Sequence, residues 1–273
     1  MKYMNVGVSS ACLYPMLTER SLMTLLDMDI SKFEVFFNTN SELEPRYIKE
    51  ISKLLKHNGA TVFSIHPYSS AMEPFMFFSD YERRFTDMLD TYKKYFYAAN
   101  KFGASVVVLH GDKLPGSVPD EKYIERFHMI AECARSNGVT LAQENVNLHR
   151  SQSPDFLLKM KKQLGDYAKF VFDVKQSIRS GYDPYNFINK IADSVVHVHC
   201  SDNSPTRDCM LPGQGAMDYF RIKNILENAK SSPTWVIEVY RRNYEKLTEI
   251  KDSYDYLCGL LYDGDDELKK KKR

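Results

Sequence analysis

Six short apolar or β-branched runs in this 273-residue chain end at side chains that bind metals or move protons. TVFSIH ends in His66 and SVVVLH in His110; TLAQEN carries Glu144, KFVFD ends in Asp173, SVVHVHC carries His199 and TWVIEV carries Glu238. A single acid at a strand end is ordinary helix-capping chemistry, and Asp173 taken alone reads that way. Four successive runs ending Glu, Asp, His, Glu are hard to assign to capping. Brought together, three carboxylates repel one another strongly unless protons or a cation neutralise them, and a divalent metal is the economical solution. The set is hard and oxygen-rich, which suits Mn²⁺, Mg²⁺ or Co²⁺ with open positions better than a structural zinc, where thiolates are expected.

Convergence needs a scaffold, and the rest of the chain supplies one. The runs belong to a set of eight: residues 5–10, 32–37, 61–66, 105–110, 140–145, 169–173, 194–200 and 234–239. Amphipathic stretches separate them. In EPRYIKEISKLLKHNG, Tyr47, Ile48, Ile51, Leu54 and Leu55 fall at helical spacing and a glycine closes the helix. Similar helices precede KFG and SNG. Strand-helix alternation implies a parallel sheet, and eight units in about 250 residues fit one α/β (β/α)8 barrel better than an open sheet. The expected domain is residues 1–262, with 263–273, DGDDELKKKKR, as a solvated charged tail. In such a barrel every strand's C-terminal end opens on one face, where the chemistry is done.

Composition removes other classes. A net charge of +1 gives no footprint for a nucleic-acid backbone or an anionic membrane. Five cysteines without a CxxC pair make a poor disulfide framework, so a reducing cytoplasm is expected. The N-terminal apolar run is too short for a signal peptide, no stretch is apolar enough to span a bilayer, and no Gly-rich phosphate loop follows a strand.

The ordered set QEN (Glu144), FDV (Asp173), HVHCSD (His199) and IEV (Glu238), spaced by 29, 26 and 39 residues, resembles the xylose isomerase-like barrel superfamily, particularly its sugar isomerase/epimerase branch, to about residue 260. LPGQGAMDY (211–219) is similar to that family's glycine-containing loop after strand seven. The resemblance implies one divalent ion, Mn²⁺ foremost with Mg²⁺, Co²⁺ or Zn²⁺ as alternatives, held by these four residues. It also implies a small carbohydrate substrate and leaves homo-oligomer formation open. The apurinic-site endonucleases of the same superfamily hold three zinc ions. Here Gln176 stands where their sixth strand has a histidine, and Arg207-Asp208-Cys209 stands where they have Asp-x-His. His66 and His110 remain at matching strand ends, so part of a larger site survives.

Such an ion, bound by a substrate carbonyl and neighbouring hydroxyl, acidifies the adjoining C–H and stabilises an enediolate. Glu144 and Glu238, across the mouth from each other, are the expected bases, one removing the proton and the other returning it from the opposite face. Return to the neighbouring carbon makes an isomerase; loss of a β-hydroxyl makes a dehydratase. A non-catalytic barrel that kept the ring of ligands is a further alternative. His66, His110, Gln176 and Arg207 are the candidate substrate contacts, although a loop arginine is more often solvated and strand-end histidines are often simply hydrogen-bonded. His197, on the same side of its strand as His199, and Trp235 are expected in the core. Lys175 is read either as a substrate contact or as a structural ion-pair partner. The aromatic segment 67–80 is read either as an apolar lid or as packing beneath the mouth.

Overall fold

The computed structural model describes residues 5–116 and 118–271, with side chains to residue 261. Eight parallel strands close into a barrel: β1 (Val6–Ser9), β2 (Lys32–Phe36), β3 (Thr61–His66), β4 (Val106–Leu109), β5 (Thr140–Glu144), β6 (Phe170–Asp173), β7 (Val195–Cys200) and, after a two-stranded excursion, β10 (Thr234–Ile237). Sequential neighbours pair all round, and β10 closes the ring between β7 and β1, with Val6 opposite Trp235 and Val236 opposite His199. All eight runs expected from sequence are strands, and the fold is the (β/α)8 barrel. The excursion is an antiparallel ribbon, β8 (Asp202–Ser204) with β9 (Arg207–Met210), which the sequence pattern does not reveal because both strands are short and mostly polar.

The outer helices follow their patterns. The helix over EPRYIKEISKLLKH, α2 (Pro45–His57), follows α1 (Thr18–Leu26) and buries Ile48, Ile51 and Leu55. After α3 (Glu73–Met76), the long α4 (Glu82–Phe102) ends on Gly103 at φ 74°, a left-handed position where only glycine is unstrained. The series continues with α5 (Asp120–Ser136), α6 (Pro154–Leu164), α7 (Val174–Arg179), α8 (Pro184–Ile191), α9 (Tyr219–Asn228) and α10 (Thr248–Lys271). Side chains beyond residue 261, and with them the solvated character expected of the charged tail, lie outside the described residues.

The period of two along each strand sorts side chains into two cores. Outward residues such as Phe33, Leu109, Leu141, Phe172 and Trp235 pack under the helices in one large cluster. Inward residues form layers. Val106, Val108, Ala142 and Val171 make a small apolar plug, and a polar layer of Glu34, Ser64 and His197 forms a separate buried web. His66, His199, Glu144 and Asp173 then stand at the C-terminal strand ends. Burying Val and Phe on both faces of these strands holds the acids at fixed positions, because register cannot slip without turning the apolar set out of the core.

Candidate active site

Glu144, Asp173, His199 and Glu238 come together at the barrel mouth, each offering one ligand atom with all four atoms within 4.8 Å of one another. His199 Nδ1 sits among the acids, 3.4 Å from Glu144 Oε1, 3.6 Å from Glu238 Oε2 and 3.7 Å from Asp173 Oδ2. The other ring nitrogen, Nε2, is 3.1 Å from Glu34 Oε2 at the level below. Glu34 therefore holds Nε2 and leaves Nδ1 for an ion, the arrangement by which a second carboxylate fixes the orientation of a metal-ligating histidine. Sequence reading missed Glu34. The available signal was an acid between Phe33 and Val35, in the apolar part of the run KFEVFF.

Asp173 is the N-cap that its position alone suggests, and it also faces the cluster. Its Oδ1 accepts from the Gln176 N–H at 2.8 Å and caps α7, while Oδ2 faces the cluster. Lys175, offered as a contact or an ion-pair partner, is buried with Nζ 3.0 Å from Asp173 Oδ2 and 2.8 Å from Glu238 Oε2. Below, His197 is fully buried between Thr234 Oγ1 at 2.6 Å and Ser64 Oγ at 3.2 Å, the satisfied core residue expected.

The electrostatics suit a cation. Burial disfavours every charge here, and the carboxylates respond differently according to their partners. For Glu144 the imidazoles of His110, His199 and His66 outweigh burial and hold it well below the usual range; Glu34 is likewise lowered by His199 and His197. Asp173 is raised, since burial and the neighbouring Glu144 and Glu238 exceed the help from Lys175. Against its own burial, His199 is held well above its ordinary value by Glu34, Glu238, Asp173 and Glu144. Protons and the Lys175 ammonium are thus what balance the acids in the protein alone. Glu144 Oε2 and Asp173 Oδ2 are buried without a properly directed hydrogen bond, although His110 Nε2 lies 2.9 Å from the first and Lys175 from the second. Two buried, under-satisfied oxygens beside the His199 Nδ1 that the acids surround fit a divalent ion.

The remaining candidates divide. His66 and His110 stand side by side, Nε2 to Nε2 3.1 Å, and form a second group with Glu144. Both line the cavity above the cluster, as does Gln176, whose Oε1 accepts from the Asn147 N–H at 3.1 Å. Arg207 is exposed on β9 and is not among the residues lining the cavities at the mouth. Its neighbour Asp208 is held by Arg179 at 2.5 Å. Segment 67–80 is partly packed beneath the mouth, with Phe77 and Phe78 fully buried, whereas Met72 and Phe75 are exposed. In the loop 211–219, the Asp202 carboxylate accepts from the N–H groups of Gly213, Gly215 and Met217 at 2.9–3.0 Å. A Cβ on Gly215 would stand 2.4 Å from Asn203 O, so this close wrap requires glycine.

Comparison with known proteins agrees with the architecture. Among curated proteins, no relative matches the sequence. Among solved structures, a D-tagatose 3-epimerase-like protein aligns with TM-score 0.79 at 20% identity, covering 97% of this chain and 100% of its own. D-psicose 3-epimerase from Clostridium cellulolyticum H10, solved with D-tagatose, aligns with TM-score 0.75 at 14% identity over 94% and 99% of the two chains. A xylose isomerase-like TIM barrel protein from Mycobacterium smegmatis, in complex with magnesium, gives 0.72 at 18% over 90% and 88%. At these identities the likeness is one of fold. The sequence profile of the xylose isomerase-like TIM barrel matches residues 25–260, and the chain belongs to that family.

Proposed function

We propose that this protein is a divalent-metal-dependent isomerase or epimerase of a sugar or sugar derivative. The observation that carries the reading is the grouping of Glu144, Asp173, His199 and Glu238 around a histidine nitrogen, beneath a cavity that Glu144 and Glu238 themselves line. These four residues would hold one ion, and the oxygen-rich set favours Mn²⁺ or Mg²⁺. The ion would supply polarisation of a carbonyl and an adjoining hydroxyl, lowering the cost of removing the neighbouring proton.

This chain's own residues do the rest. Glu144, on β5, and Glu238, just past β10, approach the cavity from separate strands. One takes the proton from carbon and the other returns it, giving inversion when they act on opposite faces. Lys175 fixes the Glu238 carboxylate at 2.8 Å, and together with His199 holds it below the ordinary carboxylate range despite burial. His66, His110 and Gln176 offer hydrogen bonds to sugar hydroxyls at the rim. The solved epimerases of like fold support a carbohydrate substrate, and the free thiols of all five cysteines suit the reducing cytoplasm. The endonuclease reading has less behind it: Gln176 replaces a histidine, Asp208 is engaged by Arg179, and the charge is near zero.

The test is incubation of Mn²⁺-loaded protein with a panel of ketoses and aldoses in D₂O. Deuterium entering a carbon next to a carbonyl, lost in Glu144→Gln and Glu238→Gln, supports the proposal. A protein that binds the ion and exchanges no carbon-bound proton from any member of the panel counts against it.

A further inference from the structure

The space above the acids is divided into two chambers. The first, about 290 Å³, is bounded by Glu144, Lys175, Gln176, Glu238 and Tyr240. The second, about 550 Å³, opens beside it above β3 and β4. Phe36, His66 and His110 line both and form the partition. Ordinary ligand pockets run to about 300–1,000 Å³, so the first chamber is on the scale of one sugar ring and the second has room for another.

The chambers differ in chemistry. The first is lined by two glutamates and an ammonium group, the apparatus of proton transfer. The second is walled by Tyr68, Pro74, Phe75 and Leu114. Its polar groups are partly engaged by the protein: Asp112 Oδ2 is 3.0 Å from Arg150 Nε, and His149 Nδ1 is 3.1 Å from Asn147 O. Phe75 is 68% exposed and Leu114 42%. Single exposed apolar side chains are ordinary, but these two line one cavity that joins the acid–base site, which is where apolar surface marks a binding groove. A pyranose ring fits such walls, because its C–H face can lie on an aromatic ring while its hydroxyl edge remains in water.

We propose that the reacting sugar is one ring of a glycoside, and that the second chamber seats the other ring against Phe75 and Tyr68. This deepens the isomerase/epimerase reading and rests on it for the identity of the reacting ring. The glycosidic oxygen then lies near the His66–His110 partition.

The probes are D-fructose, D-fructose 6-phosphate and three glucosyl-fructoses with an open ketose, namely turanose, maltulose and isomaltulose. Each is titrated calorimetrically into the Mn²⁺-loaded full chain, with solvent deuterium exchange followed in parallel. At least one disaccharide should bind about tenfold more tightly than fructose, and Phe75→Ala should remove that advantage while leaving fructose binding unchanged. Leu114→Ser, on another wall, should have the same selective effect should Phe75→Ala fold poorly. The inference is overturned if fructose binds as well as every disaccharide, if the phosphate ester binds best, if the substitutions weaken all ligands alike, or if no member binds. Tight disaccharide binding without proton exchange would uphold the second chamber and sink the epimerase reading. Exchange with fructose and exclusion of the disaccharides would do the reverse.

Discussion

The two halves of the barrel mouth are built from the same kind of strand end but solve opposite problems. On the side of β5, β6, β7 and β10, Glu144, Asp173, His199 and Glu238 crowd charge into a cluster that could hold a cation. On the side of β2, β3 and β4, Phe36, His66 and His110 stand with Tyr68 and Phe75 of the loop after β3, and rings make up much of the lining there. The charged half is rigid because each member is held from below or beside: His199 by Glu34, Asp173 by the Gln176 N–H, Glu238 by Lys175. On the aromatic half Phe75 is exposed. On the proposed function, chemistry and selectivity are separated across one mouth, and substitutions on the two sides should fail in different ways.

The largest effect should come from removing a ligand. Asp173→Ala or His199→Ala should abolish tight Mn²⁺ binding and all turnover while leaving a folded barrel, measured by metal content and circular dichroism. Full metal occupancy in both would dissolve the distinction between the halves.

Next come the bases. Glu144→Gln and Glu238→Gln keep an oxygen ligand and lose the base, so turnover should fall by about 10²–10⁴ while metal affinity falls much less. With a given epimer, the variant lacking the proton-abstracting base should show no deuterium exchange, and its partner should exchange without inversion. Swapping the starting epimer should swap the two. Wild-type turnover in both variants would remove the two-glutamate mechanism.

A smaller loss is expected one layer down. Glu34→Gln should weaken Mn²⁺ by about 10–100-fold through misdirection of His199, with unchanged sugar selectivity. The pH dependence has a defined sign. Glu34 and the acids keep His199 protonated above its usual range, and a ligand must shed that proton, so wild-type Mn²⁺ affinity should rise with pH with release of protons on binding. Proton uptake, or a flat profile across neutral pH, would contradict the assignment of Nδ1 as ligand. Arg207→Ala should change least, because the side chain is exposed on β9 outside both chambers: metal content unaltered and KM within about twofold, as for a surface substitution away from the site.

What the sequence made legible follows from the same contrast. Strands buried on both faces are largely apolar runs, so all eight were readable, and a polar residue at the end of such a run is conspicuous; the three acids and one imidazole of the cluster were found that way. Residues whose role depends on a partner across the barrel were not. Glu34 lies inside KFEVFF, where the run hid it, and the 165 residues separating it from His199 leave no local trace of their contact. Lys175 was ambiguous because its position one residue before Gln176 says nothing of Glu238, 63 residues on. The ribbon of β8 and β9 escaped because strands of three and four residues with polar side chains have no period to read.

The central claim is that one divalent ion is held by Glu144, Asp173, His199 and Glu238, and calorimetric titration of chelator-stripped protein with Mn²⁺ tests it most directly. The account predicts one tight site per chain, lost in His199→Ala and retained in Arg207→Ala. No saturable binding by the wild-type protein, or an unchanged isotherm in His199→Ala, would contradict it.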